Sequence, residues 1–269
     1  MPDDLAAVVL AAGAGTRLRP LTDVRPKALC TVDRRPLLDW ALERVTAYAG
    51  EVAVNVHHHA DRMLAALAGR DVHVSHEEPE ALGTAGALGR LRGWLDGRAV
   101  LVSNADAWYP ADAAAVLADL VGGWEGERPR LLCVPAPGPD GADFADLRYV
   151  GTALLPWWSV RDLAATPAGL YEVSWAALHA EGRVELVPAD LAAVDCGTPR
   201  AYLRANMVAS GGRPVLEDGA RVEGEVVRSV VWAGERVRPG ERLVDAVRAA
   251  GTTLQPFAVS DTPVTPAGE

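Results

Sequence analysis

The sequence predicts an α/β fold: a mixed, mainly parallel sheet with helices on both faces, followed by a short C-terminal left-handed β-helix. Three observations predict it. From Leu5 to Ser75, apolar strand-like runs alternate with segments of helical spacing, the β-α-β-α order that a parallel sheet requires. A turn bearing Gly13 and Gly15 follows directly on the first apolar run. From Pro214 to Leu254 helical periodicity stops, and Val231, Val237 and Leu243 recur every six residues, as do Gly234 and Gly240. Coils of this size cannot bury their apolar faces singly, so they stack.

The first strand spans Leu5 to Leu10. The glycines after it let the backbone approach a ligand closely and aim N–H groups at anionic oxygen. Arg17 and Lys27, ten residues apart, add two full positive charges on an arm stiffened by Pro20 and Pro26. A polyphosphate fits this stretch. The spacing suits neither a dinucleotide fingerprint, whose third glycine position is Leu18, nor a P-loop, since no Gly-Lys-Ser/Thr follows. Of the 26 basic residues 25 are arginine, so Lys27, the single lysine, does what a planar guanidinium cannot: it places a compact charge among phosphate oxygens.

A helix is expected over Pro36–Tyr48, with Leu37, Leu38, Ala41, Leu42 and Val45 on one face. Strand Val52–Val56 follows, then His57, His58 and His59, read as a polar strand-to-helix loop because adjacent residues cannot all face one ion. Helix Asp61–Ala68 and strand Asp71–Ser75 come next. Further along, strand Arg98–Ser103, helix Ala111–Leu120 and strand Arg130–Val134 precede a turn-rich loop from Pro135 to Phe144. Strand Arg148–Leu155, helix Leu170–Ala180 and strand Gly182–Val187 complete the sheet. Thr198 as N-cap with Pro199 after it opens a last helix. The expected division is a catalytic domain over residues 1–212, the β-helix tail over 213–257 and a disordered C-terminus over 258–269.

Composition narrows the function. A net charge of −10 argues against general nucleic-acid binding, which needs a basic surface. No apolar run is long enough to span a bilayer, the N-terminus lacks a signal peptide's basic start, and Cys30, Cys133 and Cys196 are scattered and odd in number. A cytoplasmic protein with reduced thiols is expected. In an open parallel sheet, ligands bind outside the carboxyl ends of the strands, so the functional residues should lie in the loops that leave them.

The string G-A-G-T-R-L-R-P-L-T-D-V-R-P-K, from Gly13 to Lys27, closely resembles the signature of the sugar-1-phosphate nucleotidyltransferases, or NDP-sugar pyrophosphorylases. Three later segments resemble the same family in its order: G-T-A-G-A from Gly83, S-N-A-D from Ser103, and V-D-C-G-T-P from Val194. The resemblance implies a Rossmann-like domain in which Leu10, Ala11, Ala12, Gly13, Ala14, Gly15, Thr16, Arg17, Lys27, Glu78, Gly83 and Thr84 bind a nucleoside triphosphate. It implies that Asp106 and Asp195 hold Mg²⁺, with Ala105 in place of the usual glycine. Arg17, Lys27, Asp106 and Asp195 are then the catalytic set, and Asn104, Gly141, Asp143, Gly151 and Thr152 bind the sugar. Many relatives add a Glu-Lys pair contacting sugar and sugar phosphate; it is absent here, with Arg148 the nearest substitute. The tail in such relatives makes oligomer contacts, which implies a homo-oligomer.

The implied reaction joins a nucleoside triphosphate to a sugar 1-phosphate and releases pyrophosphate. Glu78 stands where the family reads the base. An ionised carboxylate only accepts hydrogen bonds, and guanine offers two adjacent donors where uracil offers one, so GTP and a GDP-mannose-like product are favoured. H-E-E-P-E-A-L-G-T-A-G is similar to the guanylyltransferase branch. Against this, P-D-G-A-D-F from Pro139 resembles the P-x-G-D-F loop of N-acetylmuramate-1-phosphate uridylyltransferases, with one residue inserted. Two alternatives stay open. One is a non-catalytic nucleotide-sugar-binding regulatory subunit, suggested by the missing Glu-Lys pair; the other is a molybdopterin guanylyltransferase, disfavoured by that family's shorter Arg-to-Lys spacing and lack of P-L-T.

Overall fold

A computed structural model describes residues 5–110, 113–136, 138 and 141–256. Its main sheet has seven strands: β1 Leu5–Leu10, β2 Glu51–Val56, β3 His73–His76, β4 Ala99–Asn104, β5 Arg130–Pro135, β6 Leu147–Leu155 and β7 Glu185–Pro188. Their order across the sheet is β7-β5-β6-β4-β1-β2-β3. Every pairing is parallel except the two made by β6, which runs against β4 and β5. A mixed, mainly parallel sheet is therefore present, and β6 starts at the rim where the parallel strands end.

Alternation along the buried strands splits their side chains between two cores. Ala7, Val9, Val52 and Val54 face one layer, which holds helices α1 Leu37–Thr46, α2 Ala60–Leu67 and, further along, α4 Ala114–Val121. Ala6, Val8, Ala53 and Val102 face the other, formed by α3 Gly83–Leu95 and the Tyr171–Ala180 segment, a π turn running into α5 Ala176–Ala180. Helices thus cover both faces. Element ends move by one to three residues from those expected, and residues 111 and 112 at the expected start of α4 lie outside the described residues.

Glycine in α3 has a packing role. A Cβ on Gly86 would strike the carbonyl of Thr166, and one on Gly89 that of Ala164. The bare helix face lets the backbone of residues 163–168 lie directly on it. The histidine run is a loop as expected: His59 has φ 52 at the N-cap of α2, and its Nε2 meets the Thr22 carbonyl at 2.9 Å.

The tail forms stacked parallel ladders. Val215 pairs with Val230 and Val230 with Val247, while Arg221 pairs with Arg236 and Glu225 with Arg242, so one circuit of the chain takes 15 or 17 residues. Val231, Val237 and Leu243 point inward and close a small core with Ala246. The six-residue spacing therefore marks the inward positions. Val215, Val230, Trp232 and Val247 pack with Leu18, Leu21 and, from α6 Pro199–Ala209, Tyr202 and Leu203. Residues 258–269 lie outside the described residues.

Candidate active site

The loop after β1 is braced from two neighbouring strand ends. Ala11 N–H donates to Asn55 Oδ1 (2.7 Å), Asn55 Nδ2 donates to Glu77 Oε1 (2.8 Å), and Leu82 N–H donates to Glu77 Oε2 (2.7 Å). This relay fixes the glycine loop relative to the turn at Gly83. It also explains why Glu77 is fully buried rather than a solvated loop charge: each carboxylate oxygen has a donor. Gly15, at φ 61, packs against Thr22 and the Lys27 side chain, so it shapes the arm rather than the cleft.

Asp106 and Asp195 are brought together by a two-strand ribbon. Ala107–Trp108 pairs antiparallel with Val194–Asp195, setting Ala107 opposite Asp195, and Cys196 N–H donates to the Asp106 carbonyl (3.0 Å). The Lys27 ammonium bonds Asp106 Oδ2 and lies 3.5 Å from Asp195 Oδ1, while Arg17 Nη2 lies 3.4 Å from Asp195 Oδ2. Both carboxylates thus face one point, where a Mg²⁺ bonded to each at ~2.1 Å needs their oxygens within ~4.2 Å of each other. Burial alone would lower the Lys27 pKa, but Asp106 and Asp195 outweigh it and hold the ammonium above its usual range. Gly197 closes the site from below: a Cβ there would sit 2.9 Å from Arg17 Nη2 and from Asp195 Oδ1.

The two carboxylates share one cation, Lys27. Among the described residues no cluster of three or more His, Cys, Asp or Glu is present. Mg²⁺ commonly takes one or two carboxylates and completes its oxygen shell from phosphate and water. Asp106 and Asp195, gathered around a cation already, fit that pattern.

Two clefts meet at Asn104 and Asp106. The first is lined by residues 10–13, Lys27, Asn55, Gly83 and Thr84; the second by Arg17, Gly141, Asp143, Arg148, Gly151 and Asp195. Most residues expected to bind ligand therefore converge on one continuous site. Ala14, Gly15 and Thr16 lie beside it and line neither cleft. Glu78 does not reach it: the side chain is 74% exposed and its carboxylate is 3.7 Å from His76. Alternation at the end of β3 turns Glu77 inward and Glu78 outward. Thr152 is also displaced. It pairs with Ser103 inside the sheet, is fully buried, and its hydroxyl meets Tyr109 Oη at 2.8 Å, so it stands behind the wall of the second cleft.

Sequence reasoning missed Asn55, Gly197 and Arg44. The buried Arg44 guanidinium donates to Ser103 Oγ (2.7 Å) and the Ala107 carbonyl (2.5 Å), gripping the chain on both sides of Asp106. Only the Asn at the end of an apolar strand and the Gly two residues after Asp195 carried any local signal. All three cysteines are free and buried, and burial pushes the Cys30 and Cys133 thiols up to about 12. Among the described residues no helix is long and apolar enough to cross a membrane.

Residues 7–239 match the MobA-like NTP transferase domain family. An N-acetylmuramate α-1-phosphate uridylyltransferase from Caulobacter vibrioides is 32% identical over 229 residues, covering 74% of this chain and 94% of that protein. The enzyme of the same name from Neisseria meningitidis is 35% identical over 118 residues, 41% of this chain and 51% of that one. Among solved structures, a protein described as mannose-1-phosphate geranyltransferase from Thermus thermophilus aligns with TM-score 0.70 at 19% identity, over 93% of this chain and 94% of that one. HddC from Yersinia pseudotuberculosis aligns with TM-score 0.59 at 18% identity, over 76% and 98%. At these identities the structures speak to fold alone.

Proposed function

The chain belongs to the MobA-like NTP transferase domain family and is a sugar-1-phosphate nucleotidyltransferase, and from that premise we propose that it transfers a uridylyl group from UTP to a sugar 1-phosphate. One observation carries the reading of the site: a single ammonium, Lys27, joins Asp106 and Asp195 beside the glycine loop. A non-bridging oxygen of the sugar phosphate bonds to the α-phosphorus as the bond to the bridging oxygen breaks and pyrophosphate leaves. The nucleophile is already anionic, so no general base is needed. Catalysis is positioning and charge neutralisation.

Asp106 and Asp195 hold Mg²⁺, which supplies Lewis-acid neutralisation of the α-phosphate when bound. Amides of the Ala11–Gly13 loop and the Arg17 guanidinium hold the departing pyrophosphate, and Lys27 bridges phosphates. The base sits in the first cleft between the glycine loop and Gly83–Thr84. UTP is preferred over GTP because Glu78 points to solvent, leaving no carboxylate to read guanine's paired donors, and because the Caulobacter relative is named for uridylyl transfer. GTP remains the second reading, on the guanylyltransferase-like segment His76–Gly86.

Residues 1–212 form the catalytic unit in this reading. The tail, residues 213–257, is a left-handed β-helix, on the strength of its six-residue inward spacing, and its outer end serves a second copy of the chain. The reaction belongs in the cytoplasm, where nucleoside triphosphates are made. A pyrophosphate-release assay over five nucleoside triphosphates and several sugar 1-phosphates tests the assignment. The expected result is Mg²⁺-dependent release with UTP ahead of GTP. Release with GTP alone would reverse the base assignment, and silence across the grid would favour the regulatory-subunit reading.

A further inference from the structure

The second cleft holds a positive charge that the reaction as described leaves unused. Arg25, Arg35, Arg98, Arg130 and Arg248 are all drawn partly or wholly out of solvent, and each pairs with a carboxylate, while buried Arg44 bonds a hydroxyl and a carbonyl. Arg148 is likewise half-buried and lines the cleft, yet among the described residues its guanidinium makes no hydrogen bond and no ion pair. Of the two acids just before it, Asp146 is exposed, and Asp143 Oδ2 accepts the Tyr149 N–H at 2.9 Å. A guanidinium partly withdrawn from water without a partner is unfavourable unless a ligand supplies one.

The place of Arg148 on β6 separates it from the reacting phosphate. Gly151 is where β6 passes the reaction centre: a Cβ there would meet Ala107 at 2.8 Å and Asn104 at 3.2 Å, on either side of Asp106. Thr152 is the last β6 residue paired with β4, opposite Ser103, so residues 148–151 continue beyond the end of β4 into the ligand side. Three residues of strand put the Arg148 backbone ~10 Å from Gly151 along β6. A pyranose with its 1-phosphate at Asp106 and Asp195 therefore presents its remaining substituents toward Arg148. The phosphate end has its own cations in Arg17 and Lys27.

We infer that Arg148 selects a sugar 1-phosphate carrying a second negative charge, a carboxylate on the sugar, by a charge-assisted hydrogen bond at the far end of the second cleft. This rests on the nucleotidyl-transfer reading of the site and adds the class of sugar it accepts. Arg148 would then act on specificity and leave the phosphate to others, which differs from the role of the missing Glu-Lys pair.

The test uses the full-length chain, UTP and Mg²⁺, with two matched pairs of sugar 1-phosphates: N-acetylmuramate against N-acetylglucosamine, and glucuronate against glucose. Within a pair only the carboxylate-bearing group differs. The native chain should show the higher kcat/KM for at least one acidic member, and Arg148→Gln should lower the acidic-to-neutral ratio about ten- to hundredfold, the range of one hydrogen bond to a charged group. Arg148→Lys, which keeps the charge, should restore part of that ratio. Melting curves confirm that each variant is folded. A native preference for neutral sugars, or an Arg148→Gln ratio equal to the native one, would overturn the inference while leaving nucleotidyl transfer intact. No pyrophosphate from any sugar with either UTP or GTP would overturn both. Activity with GTP alone would move only the base assignment, because the ratio is still read.

Discussion

Asp106→Asn should turn over roughly 10³-fold more slowly than the native chain, in line with the loss of one preorganised electrostatic group from an active site. The fold should survive. What holds this loop is largely backbone: Ala105 N–H donates to the Leu10 carbonyl (2.9 Å), and Cys196 N–H to the Asp106 carbonyl (3.0 Å). Arg44 grips Ser103 and Ala107 on either side. An asparagine can still accept from Lys27, so the substitution removes charge and little else. Pyrophosphate release alongside a melting curve measures the two effects separately. Near-native turnover would take Asp106 out of the reaction, and collapse of the melting transition would make its role structural.

Glu217→Ala should cost about 3 kcal/mol of stability, the lower end of what breaking a buried ion pair costs, and lower the melting temperature by roughly 6–10 °C for a chain of this size. Glu217 is 9% exposed and ties the tail to the arm carrying Arg17 and Lys27. Its oxygens accept from Arg25 Nη1 and Nη2 (2.6 and 2.9 Å), Thr31 Oγ1 (2.6 Å) and Ala233 N–H (2.9 Å). Arg25 also lies over the Trp232 ring, 3.8 Å from its centroid. Truncation leaves a guanidinium, a hydroxyl and an amide without their acceptor. Some cation–π attraction remains, which is why the low end of the range applies.

The same carboxylate gives a pH signature. Burial alone would raise its pKa, but the Arg25, Ala233 and Thr31 hydrogen bonds outweigh burial and hold it below 4.5, the value of an ordinary glutamate. The folded value is the lower one, so on acidification the unfolded chain takes up this proton first. The contribution is complete above about pH 4.5 and is lost progressively as pH falls through the folded value. Urea melts of native and Glu217→Gln protein should therefore differ at pH 7 and draw together as the pH falls below 4.5. A constant gap would assign the stabilisation to packing.

The parts of this protein that were legible are those where chemistry restricts residue type. The parallel alternation follows from apolar runs with turn residues between them, and Lys27 stood out because one lysine among arginines needs a reason. Asp106 and Asp195 were legible by their positions in short strings, although the ribbon that joins them, Ala107–Trp108 with Val194–Asp195, has no periodicity to betray it. Glu78 was misread because two adjacent glutamates look alike in sequence, while strand alternation gives one to the interior and one to water. Thr152 was misplaced for the same reason. Arg44 and Glu217 were invisible: a charged residue on a helix or in a coil ordinarily faces solvent, and the partner of Glu217 lies 192 residues earlier. The paired arrangement, not the residue, makes each of them buried.

In the proposed site Asp106 and Asp195 together hold one divalent ion against the nucleotide's phosphates. Electron paramagnetic resonance of Mn²⁺, added to the full-length chain with a non-hydrolysable UTP analogue, measures that directly. Tight Mn²⁺ binding is expected for the native protein and nucleotide together, greatly weakened in Asp106→Asn and in Asp195→Asn alike. Undiminished Mn²⁺ binding in both variants would contradict it.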